Sequence, residues 1–140
     1  MRFVWRRIRP DDFNHELVWL AVSVGAAVGG AVWLRLGFPT LRCPFLALTG
    51  YPCLTCGATR CAIALGQGNF SAAWLWNPLA LVALCFVVVF DVYAAIVLIA
   101  RLPRLRLIDW TRAEKNAVRI AVVALIVVNW IYLLAHRSQF

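Results

Sequence analysis

Three stretches of the chain are apolar or small at almost every position. They show neither the alternation of a half-buried strand nor the polar face of a surface helix, and they predict helices surrounded by hydrocarbon. The first, LVWLAVSVGAAVGGAVWL from Leu17 to Leu34, is uncharged. At ~1.5 Å per residue it reaches ~27 Å, enough to cross a bilayer core. The second runs from Pro78 to Ala100, opened by an Asn77 cap and a proline at the first helical position, with Pro103 predicting its end. The third starts near Thr111, where Thr111 and Glu114 form a T-x-x-E capping box, and its apolar run from Ile120 to Ala135 is broken only by Asn129.

The connection between the first two spans reads differently, because prolines, glycines and cysteines punctuate it. Cys43-Pro44 and Tyr51-Pro52 push the residue before each proline out of the helical region, and Gly50 permits a turn between them, so a turn-rich hairpin is expected there. A short helix follows from Ala58 to Leu65, stopped by Gly66 and Gly68. A second starts at Asn69 or Ser71 and carries Trp74 and Trp76 along the headgroup belt. The run from Thr59 to Trp76 is too short and too rich in glycine for a further span. The expected fold is an all-α membrane protein with three transmembrane helices and short re-entrant or interfacial helices in the first connection. Its parts are a basic N-terminus (1–16), spans at 17–34, 78–100 and 117–135, the cysteine-bearing connection (35–77), a basic loop (101–116) and a C-terminal end (136–140).

Composition agrees with this reading. Of 140 residues, 64% are hydrophobic and 14% charged, too apolar for a soluble domain, and three spans leave no room for a separate catalytic one. The net charge of +8 sits in clusters beside the spans, which points to membrane orientation and anionic lipid rather than to nucleic acid. Arg2, Arg6, Arg7, Arg9, Arg101, Arg104, Arg106, Arg112, Lys115 and Arg119 fall on one side; Arg35, Arg42, Arg60 and Arg137 fall on the other. That asymmetry predicts a cytoplasmic N-terminus and an exoplasmic cysteine connection in a bacterial inner membrane. The first apolar stretch exceeds a signal-peptide core of about 7–15 residues, so a retained anchor is expected. Gly25 and Gly29 form a G-x-x-x-G pair that lets another helix approach closely, through a second copy or another membrane protein.

Five cysteines stand in the chain, three of them (Cys43, Cys53, Cys56) within residues 43–56. Cys43-Pro44-Phe45, Thr49-Gly50, Pro52-Cys53-Leu54-Thr55-Cys56-Gly57-Ala58-Thr59-Arg60, Gly66, Gly68 and Asn77-Pro78 follow one another in the order C-P-F, T-G, C-P-x-C-G-x-T-R, glycine, N-P. Over residues 40–100 this resembles the bacterial membrane-protein family known as domain of unknown function 2752. This chain departs from the pattern at Leu54-Thr55, where proline and glycine are common. The resemblance implies a membrane location and a shared cysteine site, and no defined activity.

Three chemistries fit the cysteines. A disulfide can staple the loop in an oxidising compartment. A metal, most simply zinc, can be held by Cys43, Cys53 and Cys56 with a fourth ligand, His136 or, locally, Cys61. A reversible Cys53–Cys56 disulfide can serve redox exchange, with Cys56 activated at a helix start beside Arg60, although the βαβ setting of thioredoxin-like motifs is missing. Cys85, inside the second span, is expected to pack as a small apolar residue. Thr59 and Arg60 either bind an anion at the helix start or clamp loop carbonyls. Asp91 and Asn129, placed ~14 and ~18 Å from the cytoplasmic ends of their spans, are expected to meet across the helix interface, with a proton or ion relay as the functional alternative. The sequence has no Ser-His-Asp set, phosphate-binding glycine loop or paired carboxylates. An interaction or assembly module is therefore expected ahead of an enzyme, and a membrane thiol–disulfide protein is the alternative.

Overall fold

The computed structural model describes residues 2–6, 14–37, 43–100, 104–108 and 111–139. Pro103, and Arg7, Arg9, Arg42 and Arg101 of the charge count, lie outside the described residues. The elements are β1 (Arg2–Arg6), α1 (His15–Arg35), α2 (Pro44–Thr49), α3 (Ala58–Gly66), α4 (Phe70–Trp76), α5 (Pro78–Ile99), β2 (Arg104–Ile108), α6 (Arg112–Ala135) and a 3₁₀ turn at Arg137–Gln139. Helices α1, α5 and α6 are long and apolar enough to cross a membrane, and short helices lie between the first two, as the hydrophobic pattern predicts.

Of the two candidate starts for α4 it is Asn69 that caps, accepting from the Ala72 amide at 3.0 Å, and an unpredicted cap opens α1, where the Asn14 side chain accepts from the Leu17 amide at 3.4 Å. Thr111 and Glu114 bond reciprocally, amide to side chain, at 3.0 and 3.3 Å, closing the capping box of α6. The expected hairpin around residues 44–51 is corrected. Cys43 is extended (ψ 117°), as a residue before proline should be, but Pro44 then opens the helical turn α2. Proline lacks the N–H that a first helical position leaves unpaired, so the same Cys-Pro signal serves a helix start. Gly50, at φ 72°, ends α2 in the left-handed region.

The chain divides into two compact units, residues 1–38 with 87–117 and residues 39–86 with 118–140. In the first, β1 and β2 pair antiparallel, with Arg2 opposite Ile108 and Arg6 opposite Arg104. Sequence reading gave these segments only a charge; the alternation Arg-Leu-Arg-Leu at 104–107 is the strand signal it passed over. Helix α1 has no buried residue, and a side chain placed on Gly25 or Gly29 would meet nothing within 4 Å. The close approach that the G-x-x-x-G pair permits is therefore not made among the described residues. Asp91 accepts from the Ser23 hydroxyl of α1 at 2.7 Å.

In the second unit α3 and α4 fold against the start of α5 around Cys61, Ala64, Ala73 and Leu81, with Trp76, Leu84 and Cys85 packed on them. Asn129 of α6 is buried, and its side-chain oxygen accepts from the Leu79 amide at 3.1 Å. The expected Asp91–Asn129 pairing is thus corrected, because each has another partner. Counted from the α6 start at Arg112 rather than from the span at 117, Asn129 stands seventeen residues, ~26 Å, along the helix and reaches the first turn of α5 rather than its interior.

A candidate thiol centre

The cysteine site is built by a tight turn between two short helices. The Cys56 amide donates to the Cys53 carbonyl at 3.1 Å, and the Cys53 amide donates to Cys56 Sγ at 3.2 Å. The first bond closes the turn; the second puts a backbone donor on a sulfur, which favours its thiolate form. Gly57 follows in the left-handed region at φ 79°, and this lets the chain enter α3 directly after Cys56. Cys43, at the mouth of α2, is carried back over the turn. Its Sγ lies 3.2 Å from Cys53 Sγ, which lies 3.4 Å from Cys56 Sγ, and all three sulfurs fall within 4.8 Å of one another. All five cysteines are free thiols.

Electrostatics separates the thiols. Burial acts to raise Cys53, but hydrogen bonds from Thr55 (3.3 Å), Cys43 and Cys56 outweigh it and lower its pKa to about 7. Burial, and then the bond to Cys53, push Cys56 up to about 12, so the expected activation of Cys56 at the helix start is corrected: the lowered thiol is Cys53. The trio therefore carries one readily formed negative charge, centred on Cys53 and shared through its neighbours. A bound cation removes the obstacle to further ionisation, since thiolates about a metal no longer repel one another unscreened.

Asn77 fixes this turn to α5. It is 1% exposed; its amide donates to the carbonyls of Leu54 (3.3 Å) and Cys56 (3.0 Å), and its oxygen accepts from the Ala80 amide at 2.9 Å. The cap on the Asn77-Pro78 start is as predicted; the two bonds to the cysteine turn are not visible in sequence. Trp130 of α6 adds a further tie, its indole N–H donating to the Pro52 carbonyl at 3.1 Å. Arg60 stacks over the Trp76 ring at 4.5 Å and donates to the Gln139 carbonyl at 3.2 Å, a clamp on the chain's last turn, while Thr59 is exposed beside it.

Neither fourth-ligand candidate joins the sulfurs. His136 Nδ1 lies 3.0 Å from the Tyr132 carbonyl of its own helix, with its ring stacked on Tyr132 at 4.3 Å. Cys61 is fully buried in the α3–α4 core, its Sγ directed at the Asn77 carbonyl 3.8 Å away, and burial raises its pKa. Sequence reasoning missed Thr55 and Trp130. It also missed a cavity of about 440 Å³ beside the site, lined by Phe45, Cys53, Leu54, Thr55, Ile126, Val127 and Trp130.

The model of the family described as protein of unknown function (DUF2752) matches over residues 43–90. The matched stretch, the DUF2752 segment, is 48 of the chain's 140 residues. It begins at Cys43 and contains Cys53, Cys56, Gly57, Thr59, Arg60, Asn77 and Pro78, so every member of the sulfur cluster and its Asn77 anchor falls within it. Asp91, Asn129 and His136 lie beyond the DUF2752 segment. No curated protein and no solved structure matches the chain.

Proposed function

We propose that the protein is a membrane-embedded interaction or assembly module whose DUF2752 segment holds a soft metal ion through Cys43, Cys53 and Cys56. The observation that carries this is the gathering of three sulfurs, two from a turn and one from a separate helix start, within 4.8 Å. A plain Cys53–Cys56 staple needs no third thiol. Zinc is the commonest ion at a C-x-x-C half-site, and it takes four ligands. The module sits in a bacterial inner membrane with its N-terminus cytoplasmic and the thiol site exoplasmic, on the strength of the charge asymmetry. Its partners are lipids and a second membrane chain, for which α1 leaves Gly25 and Gly29 open.

Intact mass with metal analysis on purified protein, before and after reductant, tests the metal. One ion per chain, with three thiols freed from protection on chelation, is the expected result. A chain two mass units light that regains them with reductant, without bound metal, rejects it. A thiol–disulfide activity is the second reading, favoured by Cys53, whose thiol sits near neutrality and within reach of both others. Reversible cycling of Cys53 between reduced and oxidised forms would select it. Labelling by a membrane-impermeant thiol reagent in intact spheroplasts, after mild reduction and chelation, checks the orientation; access only after lysis would reverse it.

A further inference from the structure

We propose that the site takes monovalent copper, Cu(I), as a three-coordinate ion in preference to zinc; this rests on the reading that these cysteines hold a metal. Three sulfurs are placed about one point, with approaches of 3.2 and 3.4 Å between neighbours. Among the described residues no further His, Cys, Asp or Glu joins them. His136 is turned onto Tyr132, and Cys61 is sealed in the core.

A zinc ion with three protein ligands completes its tetrahedron with water or a substrate group. Beside Cys53 the surroundings are Phe45, Leu54, Ile126, Val127 and Trp130, with Thr55 the single hydroxyl, already 3.3 Å from the Cys53 sulfur. Such walls offer a zinc-bound water few hydrogen-bond partners, and an ordered water needs two to four of them. Cu(I) has a closed d shell and one charge, is matched by soft thiolates, and is satisfied by three of them with no water in its shell. Cys43 and Cys53 are half-buried rather than sealed, so an incoming thiolate or thioether has access for ligand exchange. The ligand class is thus a thiophilic monovalent cation, delivered or collected by another soft donor.

The test uses the full chain, purified in detergent, reduced and stripped. It is titrated with Cu(I) against bicinchoninate and separately with Zn(II) against a chromophoric chelator, with X-ray absorption on each product. The expected result is one Cu(I) per chain with a shell of three sulfurs and no nitrogen or oxygen, retained against excess zinc. Cys43→Ser removes a ligand outright and should weaken Cu(I) binding by more than the roughly 10- to 100-fold that loss of an outer-shell partner costs. Cys61→Ser should leave it unchanged. One zinc per chain in a four-ligand shell, with Cu(I) held no more tightly than by Cys43→Ser, overturns the copper assignment and leaves the metal reading standing. Binding of neither ion beyond that of the triple Cys43/Cys53/Cys56→Ser chain overturns both. The absorption measurement needs only the natural chain, so a variant that fails to fold does not block the decision.

Discussion

Helix α1 and the DUF2752 segment solve the same problem in opposite ways. Along its 21 residues α1 buries nothing, whereas the segment, though more polar and more broken, buries Cys61 and Ala73 completely and Asn77 almost so. A long helix pairs its own backbone groups and asks only for an apolar solvent. The segment's backbone turns at Gly50, Gly57 and Gly68, and its carbonyls at Pro52, Leu54, Cys56 and Leu75 look outward for donors. Side chains of α5 and α6 and the helix boundaries supply them: Trp130 to Pro52, Asn77 to Leu54 and Cys56, Tyr132 to Leu75. The difference teaches that helices of this kind can be read from the pattern of one strand of sequence, while the site depends on a few distant polar residues.

The largest effect should come from the thiols. Replacing any one of Cys43, Cys53 and Cys56 by Ser should destabilise the detergent-purified protein by about 4 kcal/mol or more, matching the triple change, because a metal centre loses its geometry with its first missing ligand. Thermal-shift curves of the single, double and triple variants decide this. A silent Cys43→Ser beside two costly partners would instead indicate a Cys53–Cys56 disulfide, and additive losses would disqualify both arrangements.

The same thiols sharpen the contrast through pH. In the stripped, reduced protein Cys53 is held down at about 7 by Thr55, Cys43 and Cys56 against an ordinary 9.0. Its alkylation rate should climb as pH rises through 7 and level off above it, with Cys56 unreactive until far more alkaline conditions. A lowered thiol pKa stabilises the folded state above the unfolded value of 9.0, and that contribution fades as pH falls through about 7. Thr55→Val should move the midpoint upward; a Cys53 midpoint near 9 in the natural chain would show that the sulfurs do not share charge.

Next in size is Asn77→Ala. It strips the cap from α5 and leaves the Leu54 and Cys56 carbonyls without donors, a loss of about 3 kcal/mol from one cap and two buried hydrogen bonds. Asn77→Asp keeps the capping oxygen for the Ala80 amide but turns a carboxylate toward two carbonyls, so it should be no milder. Denaturation of both variants checks this, and an Asp variant as stable as the natural chain would confine Asn77 to capping. Trp130→Phe keeps the ring and removes only the bond to Pro52, for about 1 kcal/mol. Chemical denaturation monitored by cysteine accessibility measures it.

These residues also mark where sequence reading stops. The spans, the capping box at Thr111 and Glu114, and the α3 and α4 helices follow from local signals, each complete within a few residues. Asn77 shows half of its role in this way: the cap is local to Asn77-Pro78, but its amide reaches back 21 and 23 residues, to Cys56 and Leu54, and no spacing rule encodes that. Cys43 could be grouped with Cys53 and Cys56 by nearness in sequence, whereas His136 was drawn in by topology alone. It stays outside the sulfur cluster, with its ring stacked on Tyr132, and no pattern in the sequence encodes that placement. The Asp91–Asn129 pairing fails for a smaller reason: a depth counted from residue 117, where the span is expected to begin, leaves out the five residues of α6 from Arg112, more than a full helical turn.

The smallest effect belongs to the first unit. Asp91 accepts from Ser23 at 2.7 Å, and Ser23 also lies 2.9 Å from the Trp19 carbonyl, so the pair ties α1 to α5 through a single hydroxyl. Asp91→Asn retains an oxygen in the same place to accept from Ser23, so the change in stability should stay within about 0.5 kcal/mol. Asp91→Leu removes the acceptor and should cost about 1 kcal/mol, the scale of one interhelical hydrogen bond in a membrane. Ser23→Ala should match it, and the double change Ser23→Ala with Asp91→Leu should cost no more than either alone, since both act through one bond. Steady-state accumulation in membranes and unfolding in mixed detergent measure all four. If Asp91→Asn were as costly as Asp91→Leu, the ionised carboxylate and not the hydrogen bond would be the working feature of this unit. The comparison with the thiol segment would then have to be redrawn, because α1 would be held by a charge rather than by the hydrocarbon around it.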